Sequence, residues 1–275
     1  MTDRYAVIGN PVAHSKSPEI HAAFALQTGQ DIVYGKLLAP LDGLRATLAA
    51  FRAEGGRGVN VTLPFKLEAF ELADDVSQRA REAGAANFLR FDNGRVHADN
   101  TDGVGLTRDI VHNLGFALAG KRVLVMGAGG AARGVLAPLL EYGPSLLTIA
   151  NRTVEKALQL VETFRQVPAA ASSVLCALPF DELTGHHFDV VINATSSSLQ
   201  GQRPPLPAET LAPGALAYDM MYGPASTPFL AFAAARGART ADGLGMLVEQ
   251  AAESYLLWRG VRPETAPVIV ALRHS

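Results

Sequence analysis

The sequence predicts an α/β protein built as two domains, and three observations carry that reading. Short β-branched and apolar runs alternate with longer helical windows along the chain, the pattern of mostly parallel strands joined by helices. The chain has 275 residues, 48% of them hydrophobic, enough for one large or two modest cores. A hairpin signal at Asp92-Asn93-Gly94 closes a first set of strands, and a helix beginning near Asp102 opens a second set.

The elements follow in order. Residues 5–8 read as a strand, broken by Gly9-Asn10-Pro11. Ser17-Pro18-Glu19 is a helix start, with Ser17 as N-cap and Pro18 at the first helical position. That helix runs to about Gln27 and stops at Gly29, with Phe24 and Leu26 read as core-facing. A strand over 32–38 precedes an amphipathic helix over 41–53, whose Ala/Leu stripe at 44–51 faces the core and which Gly55-Gly56 ends. The strand 58–63 is halted by Pro64, and helices cover 66–72 and 77–83. Strands 87–91 and 95–98 flank the hairpin turn.

In the second set, 122–126 is a buried strand followed by a glycine turn and a helix to about Leu140. Residues 146–150 form the next strand and 153–164 a helix. Strands 190–193 and 216–219 enclose a Pro-rich loop, and the tail, 244–258, is a helix that Trp258 anchors.

Composition removes several function classes. With 24 basic and 26 acidic residues the net charge is -2, so no polyanion such as nucleic acid and no acidic membrane is expected as a partner. Any anion site must be local. The single cysteine, Cys176, permits no internal disulfide and fits a reducing compartment. One Cys and seven scattered His are a poor supply for a structural zinc, and no metal site is expected. The N-terminus runs straight into a short apolar strand without a signal-peptide core, and no apolar run reaches the ~20 residues of a membrane span, so the expected setting is the cytoplasm.

The most specific local motif is Gly127-Ala128-Gly129-Gly130-Ala131-Ala132, a G-x-G-x-x-A string that leaves a buried strand and opens a helix. The first glycine permits the tight turn. The second lets the backbone approach a pyrophosphate, and the helix N-terminus offers unpaired N–H groups to the anion. The string marks a Rossmann-type, doubly wound parallel sheet. The next strand ends at Ala150, about 20 residues on, where an NAD enzyme usually carries Asp or Glu for the ribose 2′-hydroxyl. This chain reads Asn151-Arg152-Thr153-Val154-Glu155-Lys156 there. Arg152 and Lys156 would attract a 2′-phosphate that a carboxylate would repel, so the expected cofactor is NADP, with Asn151 and Thr153 in the same loop.

Further strings span almost the whole chain. They are Gly9-Asn10-Pro11-Val12-Ala13-His14-Ser15-Lys16-Ser17-Pro18, Asn60-Val61-Thr62-Leu63-Pro64-Phe65-Lys66, Gly84-Ala85-Ala86-Asn87, Asp99-Asn100-Thr101-Asp102-Gly103, Asn193-Ala194-Thr195-Ser196, Tyr218-Asp219-Met220 and Asp242-Gly243-Leu244-Gly245-Met246-Leu247. With the glycine loop and Asn151-Arg152-Thr153, in this order, the chain resembles the shikimate dehydrogenase family.

The resemblance implies reversible, NADPH-dependent reduction of 3-dehydroshikimate to shikimate, a step toward chorismate and the aromatic amino acids. It implies an N-terminal α/β substrate domain, residues 1–102 plus 241–275, and an NADP-binding Rossmann domain, 103–240, with a cleft between them. Lys66 and Asp102 would be the catalytic pair, the proton carrier being either residue or the coupled pair. Ser15 and Ser17 would hold the substrate carboxylate, with Thr62, Asn87, Tyr222 and Gln250 on the ring hydroxyls. Thr195, Met220 and Gly243 would lie near the nicotinamide. Asn60 reads as a structural neighbour.

Three positions depart from the family pattern. Phe88 follows Asn87 where Thr is usual, Gln78 stands where an acid is common, and Ser197 follows where glycine often does. Family members occur as monomers and dimers, so a homodimer is one state the resemblance admits. Two alternatives stay open: a dual-specificity quinate/shikimate dehydrogenase, and an NADP-binding relative that has lost its chemistry.

Overall fold

The computed structural model describes residues 2–195, 197, 201–223 and 225–274. The chain divides into two compact units, Met1–Gly105 with Val248–Ser275, and Leu106–Leu247.

The first unit runs β1 (Asp3–Gly9), α1 (Ser17–Thr28), β2 (Ile32–Leu38), α2 (Leu44–Ala53), β3 (Gly56–Val61), α3 (Lys66–Glu71), β4 (Asp75–Val76), α4 (Gln78–Ala83), β5 (Phe88–Asp92) and β6 (Arg95–Asp99). The sheet order is β2-β1-β3-β5-β6-β4. β1 lies between β2 and β3 and is parallel to both, while β5 is antiparallel to β3 and β6. Successive residues of β1 face opposite sides. Ala6 and Ile8 enter a core with Leu44, Leu48, Phe51, Val59 and Val61, and Tyr5 packs 4.6 Å from the Trp258 ring. The hairpin turn between β5 and β6 has Asn93 at φ 48° and Gly94 at φ 80°, the paired left-handed residues of a type I′ turn.

The second unit holds the end of α5 (Asp102–Arg108), then β7 (Arg122–Met126), α6 (Gly130–Glu141), β8 (Leu146–Ala150), α7 (Val154–Arg165), β9 (Val174–Leu178), β10 (Phe188–Asn193), β11 (Leu211–Asp219), α8 (Pro228–Ala234) and β12 (Arg239–Asp242). Its sheet is parallel throughout, in the order β12-β11-β10-β7-β8-β9. Counted from β7, this is the doubly wound order 6-5-4-1-2-3, and the chain reverses its winding between β7 and β10. Ligands bind outside the carboxyl ends of strands at such a switch point. α9 (Leu244–Arg259) and α10 (Ala266–Arg273) follow. The chain passes between the units inside α5 and again inside α9.

Several sequence-based expectations change. The partition falls after Gly105 and after Leu247, rather than after 102 and 240. One reason is that β12 pairs with β11, Ala241 opposite Tyr218, so 241–242 belong to the second sheet. Lys16, not Ser17, is the N-cap of α1, and no side chain caps this helix. The chain already turns at Lys16, whose carbonyl accepts from Ile20 N at 3.1 Å, so Ser17 lies inside the first turn. Leu26 is 86% exposed, whereas Phe24 is fully buried. Two residues span roughly 200° of a helix, so the two side chains cannot share a face.

The helix expected from 41 begins only at Leu44, because Gly43 N closes a turn on Pro40 O at 2.9 Å. β4, β9, β12, α8 and α10 carry no clear periodicity and are found only in the structure. Trp258 anchors α9 as expected: its Nε1–H donates to Leu89 O at 3.2 Å.

Candidate active site

In the first unit a cation and an anion meet at the starts of two helices. Lys66 opens α3, directly after the turn at Pro64 that ends the β3 strand segment. Asp102 opens α5, after the last residues of β6. Lys66 Nζ donates to Asp102 Oδ2 at 2.5 Å, with side chains 22% and 9% exposed. Near-burial makes this pair stronger than a surface ion pair, yet Lys66 retains enough exposure to meet a ligand.

The other oxygen of Asp102 is also held. Asn87 Nδ2 donates to Asp102 Oδ1 at 2.8 Å and to Thr101 Oγ1 at 2.9 Å, with Gln250 Oε1 at 3.2 Å. Thr101 N–H donates to Asn87 Oδ1 at 2.8 Å, which fixes which end of the amide faces Asp102. Asn100 Oδ1 accepts from Asp102 N at 3.1 Å. Behind these residues, Asp99 takes Arg79 Nη2 at 2.6 Å and Asn100 N at 2.7 Å, so the loop carrying Asp102 is tied down on both sides. Lys66, Asn87, Asp102 and Gln250 are thus brought into one polar cluster of one unit. Burial would penalise such polar groups, and the hydrogen bonds offset that cost.

Ser15 and Ser17 stand beside each other at the start of α1. Ser15 Oγ donates to Ser17 Oγ at 3.2 Å and accepts from Ser17 N at 3.3 Å. The Ser17 hydroxyl hydrogen-bonds the half-buried Tyr34 phenol, whose pKa desolvation raises well above the ordinary value. Thr62 follows β3, with its N–H donating to Ile8 O at 2.9 Å. Tyr222 lies in the other unit, half-buried in the loop after β11.

In the second unit the expected cofactor residues all leave the carboxyl edge of the parallel sheet. Gly127 follows β7 with φ 112° and donates to Ala150 O at 2.8 Å, so the loops after β7 and β8 start side by side. A Cβ on Gly127 would lie 3.1 Å from Ala194 O, at the switch point between β7 and β10. Nothing lies within 4 Å of the Cβ positions of Gly129 and Gly130, so the backbone there is open to a ligand. Gly129 is the N-cap of α6 and no side chain caps that helix. Ala128 and Ala131 are partly exposed in the same turn.

After β8, Asn151 Nδ2 donates to Thr153 O at 2.8 Å and shapes the loop, while Arg152 and Lys156 are exposed and form no ion pair among the described residues. Thr195 Oγ1 donates to Asn193 Oδ1 at 2.7 Å after β10. Met220 N donates to Asn193 O at 3.0 Å after β11. Gly243 packs so closely that a Cβ would sit 2.2 Å from Met220 O. These residues fit a phosphorylated dinucleotide: bare backbone N–H groups at a helix start for pyrophosphate, and free cations one strand away for a further phosphate.

Comparison with known proteins agrees with this layout. Residues 7–89 match the model described as shikimate dehydrogenase substrate binding domain, 109–201 the model for shikimate / quinate 5-dehydrogenase, and 243–273 the shikimate 5'-dehydrogenase C-terminal domain. A shikimate dehydrogenase (NADP(+)) of Nitrosospira multiformis is 60% identical over 276 residues, covering 100% of this chain and 98% of the relative. The chain belongs to the shikimate dehydrogenase family.

Solved structures of the family extend the likeness. An Ael1 enzyme from Pseudomonas putida is 51% identical with a TM-score of 0.92, covering 98% of each chain. The shikimate 5-dehydrogenase of Thermus thermophilus, in complex with NADP(H) and shikimate, is 35% identical with a TM-score of 0.88, covering 99% of each chain. Among the family departures, Gln78 donates to Glu82 at 2.8 Å on an exposed helix face, and Phe88 packs 5.0 Å from the Trp258 ring, which accounts for an apolar residue after Asn87. Sequence reasoning missed Tyr34, Thr101 and Ser254, which bond Asn60 and Asn87 from distant parts of the chain. No local pattern marks Tyr34 or Ser254, because an isolated hydroxyl has no period, and the string 99–103 that contains Thr101 does not show which residues it bonds.

Proposed function

We propose that this protein is an NADP-dependent shikimate dehydrogenase that interconverts 3-dehydroshikimate and shikimate. The observation that carries the reading is the Lys66–Asp102 pair at 2.5 Å, fixed by Asn87, in a chain with full-length shikimate dehydrogenase relatives.

NADPH, held by the glycine turn 127–131 and by Asn151, Arg152, Thr153 and Lys156, would supply the hydride. Thr195, Met220 and Gly243 would line its other end. The chain's own residues handle the substrate and the proton. Ser15 and Ser17 donate hydroxyl protons to the ring carboxylate beside the start of α1, a mild anion site. Thr62, Asn87, Gln250 and Tyr222 pair with ring hydroxyls. As the ketone oxygen becomes a hydroxyl it needs a proton, and Lys66 Nζ–H is the donor that the geometry presents. Asp102 holds the ammonium in place, and the pair acts as acid in reduction and as base in oxidation.

The setting we propose is the cytoplasm, supported by the single free thiol of Cys176. No helix among the described residues is long and apolar enough to cross a membrane. Purified protein mixed with shikimate and NADP should form NADPH, followed by absorbance. Absence of turnover at saturating levels of both would remove the reading.

A further inference from the structure

Behind the proposed acid–base pair lies a chain of hydrogen bonds that runs from α9 to Asp102. Ser254, fully buried on α9, donates its only hydroxyl proton to Gln250 O one turn earlier, at 3.0 Å. A carbonyl can only accept, so the Ser254 oxygen is left solely as an acceptor. It accepts from Asn60 Nδ2 at 2.8 Å. Where a hydrogen bond spans the 3.2 Å between the Ser254 and Thr101 hydroxyls, Ser254 is its acceptor, because its own proton is given to Gln250 O.

Thr101 has then spent its own proton, and its oxygen faces Asn87 Nδ2 at 2.9 Å as an acceptor. The remaining Asn87 amide proton points to Asp102 Oδ1 at 2.8 Å. At the far end, the Tyr34 phenol donates to Asn60 Oδ1 at 2.8 Å, so both ends of the Asn60 amide are committed. None of Tyr34, Asn60 and Ser254 carries a charge, so the chain exerts its effect through direction alone.

Resting on the functional reading above, we propose that Ser254 is a positioning residue. It takes the Thr101 proton, which leaves a Thr101 lone pair facing one Asn87 amide proton and the second Asn87 proton for Asp102. Without that acceptor the Thr101 proton has two other partners in reach, Asn87 Oδ1 at 3.2 Å and Gln250 Oε1 at 3.4 Å. Either choice turns the Thr101 O–H, and with it the lone pair facing Asn87 Nδ2, which weakens the hold on the Asn87 amide that donates to Asp102. Losing a donor to a carboxylate disfavours its charged form. Lys66 is the ion-pair partner of Asp102 among the described residues, and the Asp99 and Glu253 carboxylates are both paired with Arg79.

The test compares the full-length wild type with Ser254→Ala, Thr101→Val and Thr101→Ser, in shikimate oxidation with NADP across pH. Wild-type turnover establishes the functional reading first, and its absence would sink that reading rather than this one. Ser254→Ala and Thr101→Val should lower kcat by roughly 5- to 10-fold, the worth of one hydrogen bond. Both should also move the acid limb of the kcat profile to higher pH by about half a unit or more. Thr101→Ser keeps the hydroxyl and should keep the wild-type limb. A purely structural role would lower Tm and the active fraction without moving the limb. An unmoved limb in both hydroxyl-deleting variants, whatever happens to kcat or Tm, overturns the proposal. If Ser254→Ala fails to fold, the isosteric Thr101→Val carries the same comparison.

Discussion

At the residue scale, the proposed chemistry rests on one lysine held by one carboxylate. A lysine after a strand is usually a solvated side chain, and Lys66 differs because Asp102 accepts from its ammonium. If it delivers the proton, Lys66→Ala should lower kcat about 10²- to 10⁴-fold, the range of general acid–base catalysis, with KM for shikimate little changed. Steady-state kinetics at saturating NADP checks this. A rise in KM alone would make Lys66 a binding residue.

Much of this scale is readable from the chain. Lys66, Asn87, Asp102 and Gln250 stand out by their strings and by resemblance, and hydrogen bonds join them in the structure. The position of Ser17 relative to its helix is not readable, because local sequence cannot show that Lys16 already turns the backbone.

At the element scale, the proposed choice of cofactor rests on the loop after β8. Arg152 lies one strand from the glycine turn and has no ion-pair partner among the described residues, so its charge is available to a phosphate. Arg152→Asp should weaken NADP binding about 10- to 100-fold, since bonds to charged groups contribute roughly 1.5–3 kcal/mol, and should move preference toward NAD. Calorimetric titration with each cofactor reads this directly, and an unchanged preference would refute the phosphate role.

Legibility at this scale follows burial. β7 and β8 are continuous apolar runs in the middle of the sheet and stand out in the sequence. β9 and β12 are edge strands with exposed positions, and the two-residue β4 has no room for a period; their existence depends on a neighbour that local sequence does not display.

At the scale of the whole molecule, stability and activity are linked to different groups. His21 is fully buried, stacked 4.0 Å from Tyr34, and burial lowers its pKa from 6.5 to about 3. Its folded pKa lies below its unfolded value, so the unfolded chain takes up the proton first. Stability from this group is complete above pH 6.5 and falls as pH drops from 6.5 toward 3, by up to about 1.4 kcal/mol per unit. His21→Phe should flatten the unfolding free energy between about pH 4 and 6.5. An unchanged slope would show that His21 does not set acid sensitivity.

The two-unit division follows from the sequence, but its boundaries are displaced. They fall inside α5 and α9, helices whose periodicity continues across them and gives no local sign of a border.

The central claim is that this chain transfers hydride between NADP and shikimate, with the serine pair and Arg152 choosing both partners. The most direct measurement is kcat/KM for shikimate and for quinate, each with NADP and with NAD. The account predicts that shikimate with NADP exceeds every other pairing, by at least roughly 10-fold over NAD for a single phosphate clamp. Equal or greater efficiency with NAD, or with quinate, would contradict it.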